Sequence, residues 1–253
     1  MKNNFIIQVK DISDIKKVIN NQVLIRTAHR NEDKKTDSGI ILIAGTETDW
    51  RPAEHTNRIS EVVLVPEKLH FSHRSADHDS MPWDTDMQIQ VGDMVWHDFL
   101  AVHNCPVVLS DNQPDEEYKM ISYFDLYVVQ RGDEVIPLNG FCLCEEVCED
   151  RLSDMQVTEP KVDKRLGKVA YLGMPNRSYR YNRHSVNRAV QTDFYLNDPA
   201  PTDEADVAVG DVFTKRRHDI HVMLESEDHT RFDGDKLFFV TQRKDMYSVV
   251  HGA

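Results

Sequence analysis

No apolar run in this 253-residue chain approaches the roughly 20 residues that a bilayer-spanning helix needs. Glycine is scarce, at 10 residues, and cysteine scarcer, at four. The glycines form no G-x-G-x-x-G and no G-x-x-x-x-G-K-[ST], so neither a dinucleotide fold nor a phosphate loop is encoded. Equally absent are H-E-x-x-H and G-x-S-x-G. The expectation is a protein that is not an enzyme and uses no cofactor. Basic residues are outnumbered, 30 against 43 acidic, for a formal charge of -13. Such a surface disfavours generic binding to a nucleic-acid backbone. The first residues, "MKNNFIIQVKDISDIKKVI", lack the continuous apolar core and small-residue cleavage site of a signal peptide. They also lack the Ser/Arg-rich composition of a transit peptide. A soluble cytoplasmic protein with reduced thiols is expected.

What is present is strand. "QVLIRTA", "RISEVVLVP", "MVWHDFLAV", "YKMISYFDLYVV", "GFCLCEEV", "GKVAYLG" and "KLFFVTQ" alternate or are rich in β-branched residues. One short helix is expected over Asp11–Ile19, where Ile12, Ile15, Val18 and Ile19 share a face. The strands recur in one order. "NQVLIRTA", "NRISEVVLVP", "VGDMVW" and "YKMISYFDLYVV" are followed by "NGFCLCEEV", "LGKVAYLG", "VGDVFT" and "DKLFFVTQRKDMYSVV". Val23 precedes Gly92 by 69 residues, and Phe141 precedes Gly210 by 69. Asp125-Leu126-Tyr127 and Asp245-Met246-Tyr247 close the two sets. Two copies of a small β-domain follow, split near "QRGDEVIP" at 130–137. The expected organisation is an extension over 1–19, a first domain over 20–132 and a second over 133–253. Gly92-Asp93 and Gly210-Asp211 suit turns in which glycine takes positive φ and aspartate caps its own backbone.

An apolar island stands apart from this pattern. Ile40, Ile41, Leu42 and Ile43 follow Gly39, between "HRNEDKKTDS" and "TETDWRPAEHTN". Neither flank has apolar surface enough to order itself. By itself the run fits two readings: a buried strand behind a long loop, or a hook that a polar loop offers to another protein.

The first strand set resembles the GroES family of co-chaperonins over residues 20–130. The shared elements are the alternating strand "QVLIRT", a polar loop carrying a Gly-led aliphatic tripeptide, "SEVVLVP", Val91-Gly92-Asp93-Met94-Val95 and a closing strand over Met120–Val129. The resemblance implies an all-β chain of two tandem GroES-like β-barrel domains, with long roof and loop inserts at 67–90 and 174–208. It implies a co-chaperonin whose mobile loop binds a GroEL-type chaperonin ring through Gly39, Ile40, Ile41 and Leu42. The implied partners are that ring, an unfolded client protein and further copies of the chain in a homo-oligomeric ring. In the second set the loop position holds "CEDRLSDMQVTEPKVDKRL". There Met155 and Val157 stand nearest to a hook, and no Gly-led tripeptide occurs. The tandem arrangement is similar to the double-domain co-chaperonins of chloroplasts. Its divergence, and the missing transit peptide, resemble the co-chaperonins encoded by viruses of bacteria. A different class of function on the same fold is a viral structural or assembly protein that binds no chaperonin.

Other constellations weigh less. His70, His73 and His78 with Asp77 and Asp79 read better as a solvated hairpin than as a metal site. "CLCEEVC", with Cys142, Cys144 and Cys148, has no fourth soft ligand at finger-like spacing, so strand cysteines are expected and no metal. In a strand Cys142 and Cys144 share one face, and Phe141 and Leu143 the other. Arg177, Arg180, Arg183 and Arg188 interleave with Tyr179 and Tyr181. That pattern can stack single-stranded nucleic acid, or pair with acidic surface on this same chain. "TKRRHDIH" at 214–221 reads as a strand and turn edge with surface charge.

Overall fold

The computed structural model describes residues 5–27, 34–35, 41–42, 59–70, 85–147, 162–174, 207–215, 220–222, 224 and 237–251. Among them are sixteen strands and one short α-helix. No helix there is long and apolar enough to cross a membrane. The chain divides into two compact units. One takes the described residues up to Tyr127; the other takes those from Val128 on, together with Thr85 and Asp86.

The strands of the first half are β1 (Ile6–Val9), β2 (Gln22–Thr27), β3 (Lys34–Lys35), β4 (Ile41–Leu42), β5 (Ile59–Leu64), β6 (Met94–His97), β7 (Val107–Ser110), β8 (Glu117–Ser122), β9 (Leu126–Arg131) and β10 (Glu134–Pro137). All but β3 and β4 belong to one sheet, in the order β1-β7-β8-β2-β5-β6-β9-β10. In the second half, β11 (Phe141–Glu145), β12 (Leu166–Leu172), β13 (Val212–Lys215), β14 (Ile220–Val222), β15 (Phe238–Gln242) and β16 (Met246–His251) form a sheet in the order β14-β15-β11-β12-β13-β16. The repeat is therefore visible in the pairing. The order β7-β8-β2-β5-β6-β9 in one sheet matches β14-β15-β11-β12-β13-β16 in the other.

The match extends to single residues. Strands β2 and β11 each follow a two-residue turn with both central residues at positive φ: Asn20 (54°) and Asn21 (59°), then Asn139 (52°) and Gly140 (70°). The N–H of Gln22 donates to Ile19 O at 3.0 Å, and that of Phe141 to Leu138 O at 2.7 Å. These are type I′ turns, which favour Asn and Gly because both tolerate the left-handed region. A bulge falls between Leu24 and Ile25 where β2 meets β5, and between Leu143 and Cys144 where β11 meets β12. Phe141 thus matches Gln22 rather than Val23, and the equal spacing of 69 in the sequence is one residue out. Both faces of β2 and β11 are largely buried. Their hydrophobic pattern is nearly continuous and hides a one-residue slip.

The Val-Gly-Asp turns are also duplicated. Gly92 and Gly210 take φ of 91° and 95°. Asp93 N–H donates to Gln90 O, and Asp211 N–H to Ala208 O, both at 3.2 Å. Each carboxylate accepts from the first residue of its turn, Gln90 N–H or Ala208 N–H, at 2.8 Å. The preceding strand is tied to each turn by reciprocal bonds, Val62 with Gly92 and Asp93, Val169 with Gly210 and Asp211. Asp93 and Asp211 are buried. Asp93→Ala and Asp211→Ala are each expected to cost about 2 kcal/mol, the range for a hydrogen bond to a charged group. Equilibrium urea unfolding of each variant against the wild type checks this.

Three local expectations are corrected. Residues 11–19 hold a single 3-10 turn, Ile12–Asp14, capped by Asp11, rather than a helix. Val18 is buried with Leu24, Val108 and Tyr118, but Ile19 is 61% exposed. "MVWHDFLAV" is not one strand. It breaks at Asp98, whose carboxylate accepts from Ala101 N–H at 2.8 Å and starts the helix α1 (Phe99–Asn104). Each closing strand is likewise cut in two by a 3-10 turn, at Tyr123–Asp125 and at Arg243–Asp245. Strand β8 pairs back to β2, and β9 runs on from the turn. In the N-terminal segment, β1 pairs in parallel with β7.

The second unit is built on Cys142, Cys144, Val169, Val207, Phe213 and Phe239. Cys142 and Cys144 do face one cluster, but Leu143 is also fully buried. Lys215 of β13 places its Nζ 3.6 Å from the centre of the Phe239 ring on β15. Those strands are separated by β11 and β12. Three strand spacings of about 4.8 Å are too wide for that contact on a flat sheet, so this sheet curls strongly. Among the described residues neither sheet closes: β1 and β10 end the first, β14 and β16 the second.

Candidate functional site

The segment carrying the aliphatic island leaves β2 at Thr27 and returns to β5 at Ile59. Thr27 and Ser60 are paired across the β2–β5 ladder, so the two ends of the segment lie side by side. Within it, β3 and β4 form a separate two-stranded antiparallel hairpin, Lys34 opposite Leu42 and Lys35 opposite Ile41. Ile41 and Leu42 therefore have strand backbone, but in neither large sheet. Gly39, Ile40 and Ile43 lie outside the described residues.

A polar network stands at the base of this segment. Arg26 is directly opposite Glu61 on β5 and Tyr118 on β8. Its guanidinium donates to Glu61 and, at 2.9 Å, to Glu116. The Tyr118 hydroxyl donates to Glu116, and Gln113 Oε1 stands 3.2 Å from it. Hydrogen bonding from Tyr118 holds the Glu116 carboxyl below its ordinary range, with Arg26 adding to it. Burial and Glu116 together push the Tyr118 phenol up to about 12. At half exposure such pairs add little stability singly. Sequence reading did not find this network, because only strand register places Arg26, Glu61 and Tyr118 abreast.

The equivalent stem in the second unit is different. Glu145 pairs with Lys168, and Asp163 N–H donates to Val147 O at 2.9 Å. Arg165 is held to Asp163 at 3.0 Å. Met155, Val157 and Cys148 lie outside the described residues. So do His73, Asp77, His78 and Asp79 of the first insert, and the Arg177–Arg188 stretch with its tyrosines. His70 is described, and its backbone N–H and C=O bond the Asn21 side chain at 2.6 and 2.8 Å. Among the described residues no group of three His, Cys, Asp or Glu side chains is placed to hold a metal.

A Ser–His pair offers the nearest approach to catalytic chemistry. Ser60 Oγ and His97 Nε2 are 2.8 Å apart. Both residues are about 1% exposed, which closes them to any substrate. The ladders match Ser60 to Gly167 and His97 to Lys215 in the second unit. A Cβ at Gly167 would stand 2.5 Å from Phe239 Cζ, so that ring fills the space of the serine. The pair is a packing solution, not a duplicated site. Its charge state still matters. Burial drives His97 down to about 4. The unfolded histidine takes up a proton first, so this stability is full above about 6.5 and is lost as pH falls toward 4. Asp125 opposes it: burial, then the charge of Asp98, raises its carboxyl to about 6. Protonation relieves the folded state there as pH falls. Asp125→Asn removes that offset. The variant is expected to lose about 2–3 kcal/mol between pH 7 and 4.5, and the wild type less. Denaturation midpoints at the two pH values check this, and identical losses would refute it.

Asp98 also accepts from the Tyr127 hydroxyl at 2.6 Å, tying the start of α1 to β9. Two cysteines are inert by position: burial pushes the Cys144 thiol far up and that of Cys105 to about 11. Against known proteins, the sequence matches no family model and no curated protein.

Proposed function

We propose that this chain is a co-chaperonin built of two tandem GroES-like domains. It would cap a GroEL-type ring through Gly39-Ile40-Ile41-Leu42 and assist ATP-dependent folding of an enclosed client. The observation that supports this most is the position of the aliphatic run. Its described part, Ile41–Leu42, lies on a small hairpin belonging to neither large sheet, between chain ends held together at Thr27 and Ser60. The duplicated strand order, with a Val-Gly-Asp turn at the same place in each copy, supports the domain reading.

The chemistry of the hook is simple. Each buried Ile or Leu contributes about 1.5–3 kcal/mol, and ordering the loop takes back several kcal/mol. A single hook then binds weakly, while several on one assembly bind tightly through effective concentration and release together when the partner changes shape. Mixing the purified chain with a GroEL-type ring and ATP tests the reading. Expected results are a stable complex and inhibition of the ring's ATPase. No complex with its cognate ring would overturn it. In that case the second reading, an assembly protein on the same fold, has the exposed apolar strand β16 in its favour.

A further inference from the structure

Taking the chaperonin reading as its basis, we infer that Lys34 and Lys35 belong to the contact surface of the hook, and that the groove it fits has an apolar floor and a rim of carboxylates.

The observation is the register of the β3–β4 hairpin. Lys34 is opposite Leu42, and Lys35 is opposite Ile41. Residues directly opposite each other in an antiparallel pair share a face of the ladder, with Cβ atoms about 4.5–5.5 Å apart. Successive residues take opposite faces. Each face of this hairpin therefore carries one aliphatic residue and one lysine. Leu42 goes with Lys34 on the first face, and Ile41 with Lys35 on the second. The hairpin belongs to neither large sheet, and no third strand extends it among the described residues. Composition hides this arrangement. Glu32, Asp33 and Asp37 balance the lysines in the sequence. Only the register sets lysines, rather than acids, opposite Ile41 and Leu42.

The consequence for a partner follows from solvation. An aliphatic side chain contributes to binding only where it leaves water. A groove that covers Leu42 brings its rim to Lys34, and one that covers Ile41 brings its rim to Lys35. Lysine can lay its apolar stem along such a wall with its charged end at the edge. An apolar rim would strip water from that ammonium and return nothing. A carboxylate rim gives it a partner, and disfavours docking into apolar grooves that have none. The whole chain carries a charge of -13, so an acidic rim repels it at long range. The two lysines reverse the sign where contact begins. Charges at the edge of a contact act on association more than on dissociation.

Association of the chain with an immobilised GroEL-type ring and ATP, at low and at high salt, tests this. Lys34→Gln with Lys35→Gln should slow association about tenfold at low salt and leave dissociation near the wild-type rate. At high salt, where screening acts within about 5 Å, the difference should close. Lys34→Arg with Lys35→Arg keeps the charge and should associate like the wild type. Lys10→Gln with Lys164→Gln removes the same charge from exposed positions elsewhere and should change little. A glutamine variant at Lys34 and Lys35 that associates at the wild-type rate would overturn the inference. So would an equal slowing by the Lys10 and Lys164 control, which assigns the effect to total charge. A difference that survives high salt does the same, because it assigns the effect to packing. All three outcomes leave the chaperonin reading in place. A wild type that binds no ring at either salt sinks that reading, and this inference with it.

Discussion

Ile41→Asp is expected to abolish capture of the chain by a GroEL-type ring while leaving its folding unchanged. Removing the aliphatic side chain costs about 1.5–3 kcal/mol per hook, and burying a carboxylate in an apolar groove costs several more. The loss multiplies across every copy in an assembly, because avidity rests on the single-site affinity. Ile41 lies on the β3–β4 hairpin, in neither large sheet, so the substitution alters no strand of either sheet. The measurement is ring binding and ATPase inhibition beside circular dichroism of the free variant. Binding equal to the wild type would remove Ile41 from the contact. Substitution of Met155 or Val157 by Asp gives the comparison for the second copy, which is expected to matter far less.

The second large effect is structural. Gly173→Ala should destabilise the second unit by about 3 kcal/mol, the upper range for overpacking. A Cβ there would stand 2.3 Å from Phe141 O and 2.9 Å from Pro137 O. Both are backbone atoms, so no side-chain rotation relieves the clash. Gly173 N–H also donates to Phe141 O at 3.1 Å, which holds the two chains at this close approach. Thermal unfolding of the variant measures the loss. An unchanged melting temperature would mean that the β11–β12 ladder opens there at no cost. Gly132→Ala makes a useful contrast, since nothing lies within 4 Å of its Cβ and only its positive φ of 56° is strained.

Much of the second unit's architecture follows from short apolar runs, but their exact alignment does not. Val62 and Val169, or Gly92 and Gly210, can be matched by eye because turn chemistry demands glycine and aspartate at fixed places. Gln22 and Phe141 cannot, because β2 and β11 are buried on both faces and alternation is lost. The helix expected at Asp11–Ile19 fails for a related reason. Ile12, Ile15 and Val18 serve a tertiary cluster with Leu24, Val108 and Tyr118 instead of one helical face. Helix α1 was hidden inside a strand-like run, where Asp98 acts as an N-cap.

The chain's order of strands, its β class and its repeat were determined by the sequence itself, through local turn chemistry and apolar spacing that need no distant partner. The island at Ile40–Ile43 was equally visible, since it stands between polar flanks. Only the tertiary structure decided which strands pair, where the bulges fall and which edges stay open. Those outcomes depend on contacts between residues far apart in the chain, such as Thr27 with Ser60 or Lys215 with Phe239. The exposure of Ile19 and Tyr247 belongs to the same class. Leu138 and Ile19 look alike in sequence, as do Tyr127 and Tyr247, and burial alone separates them.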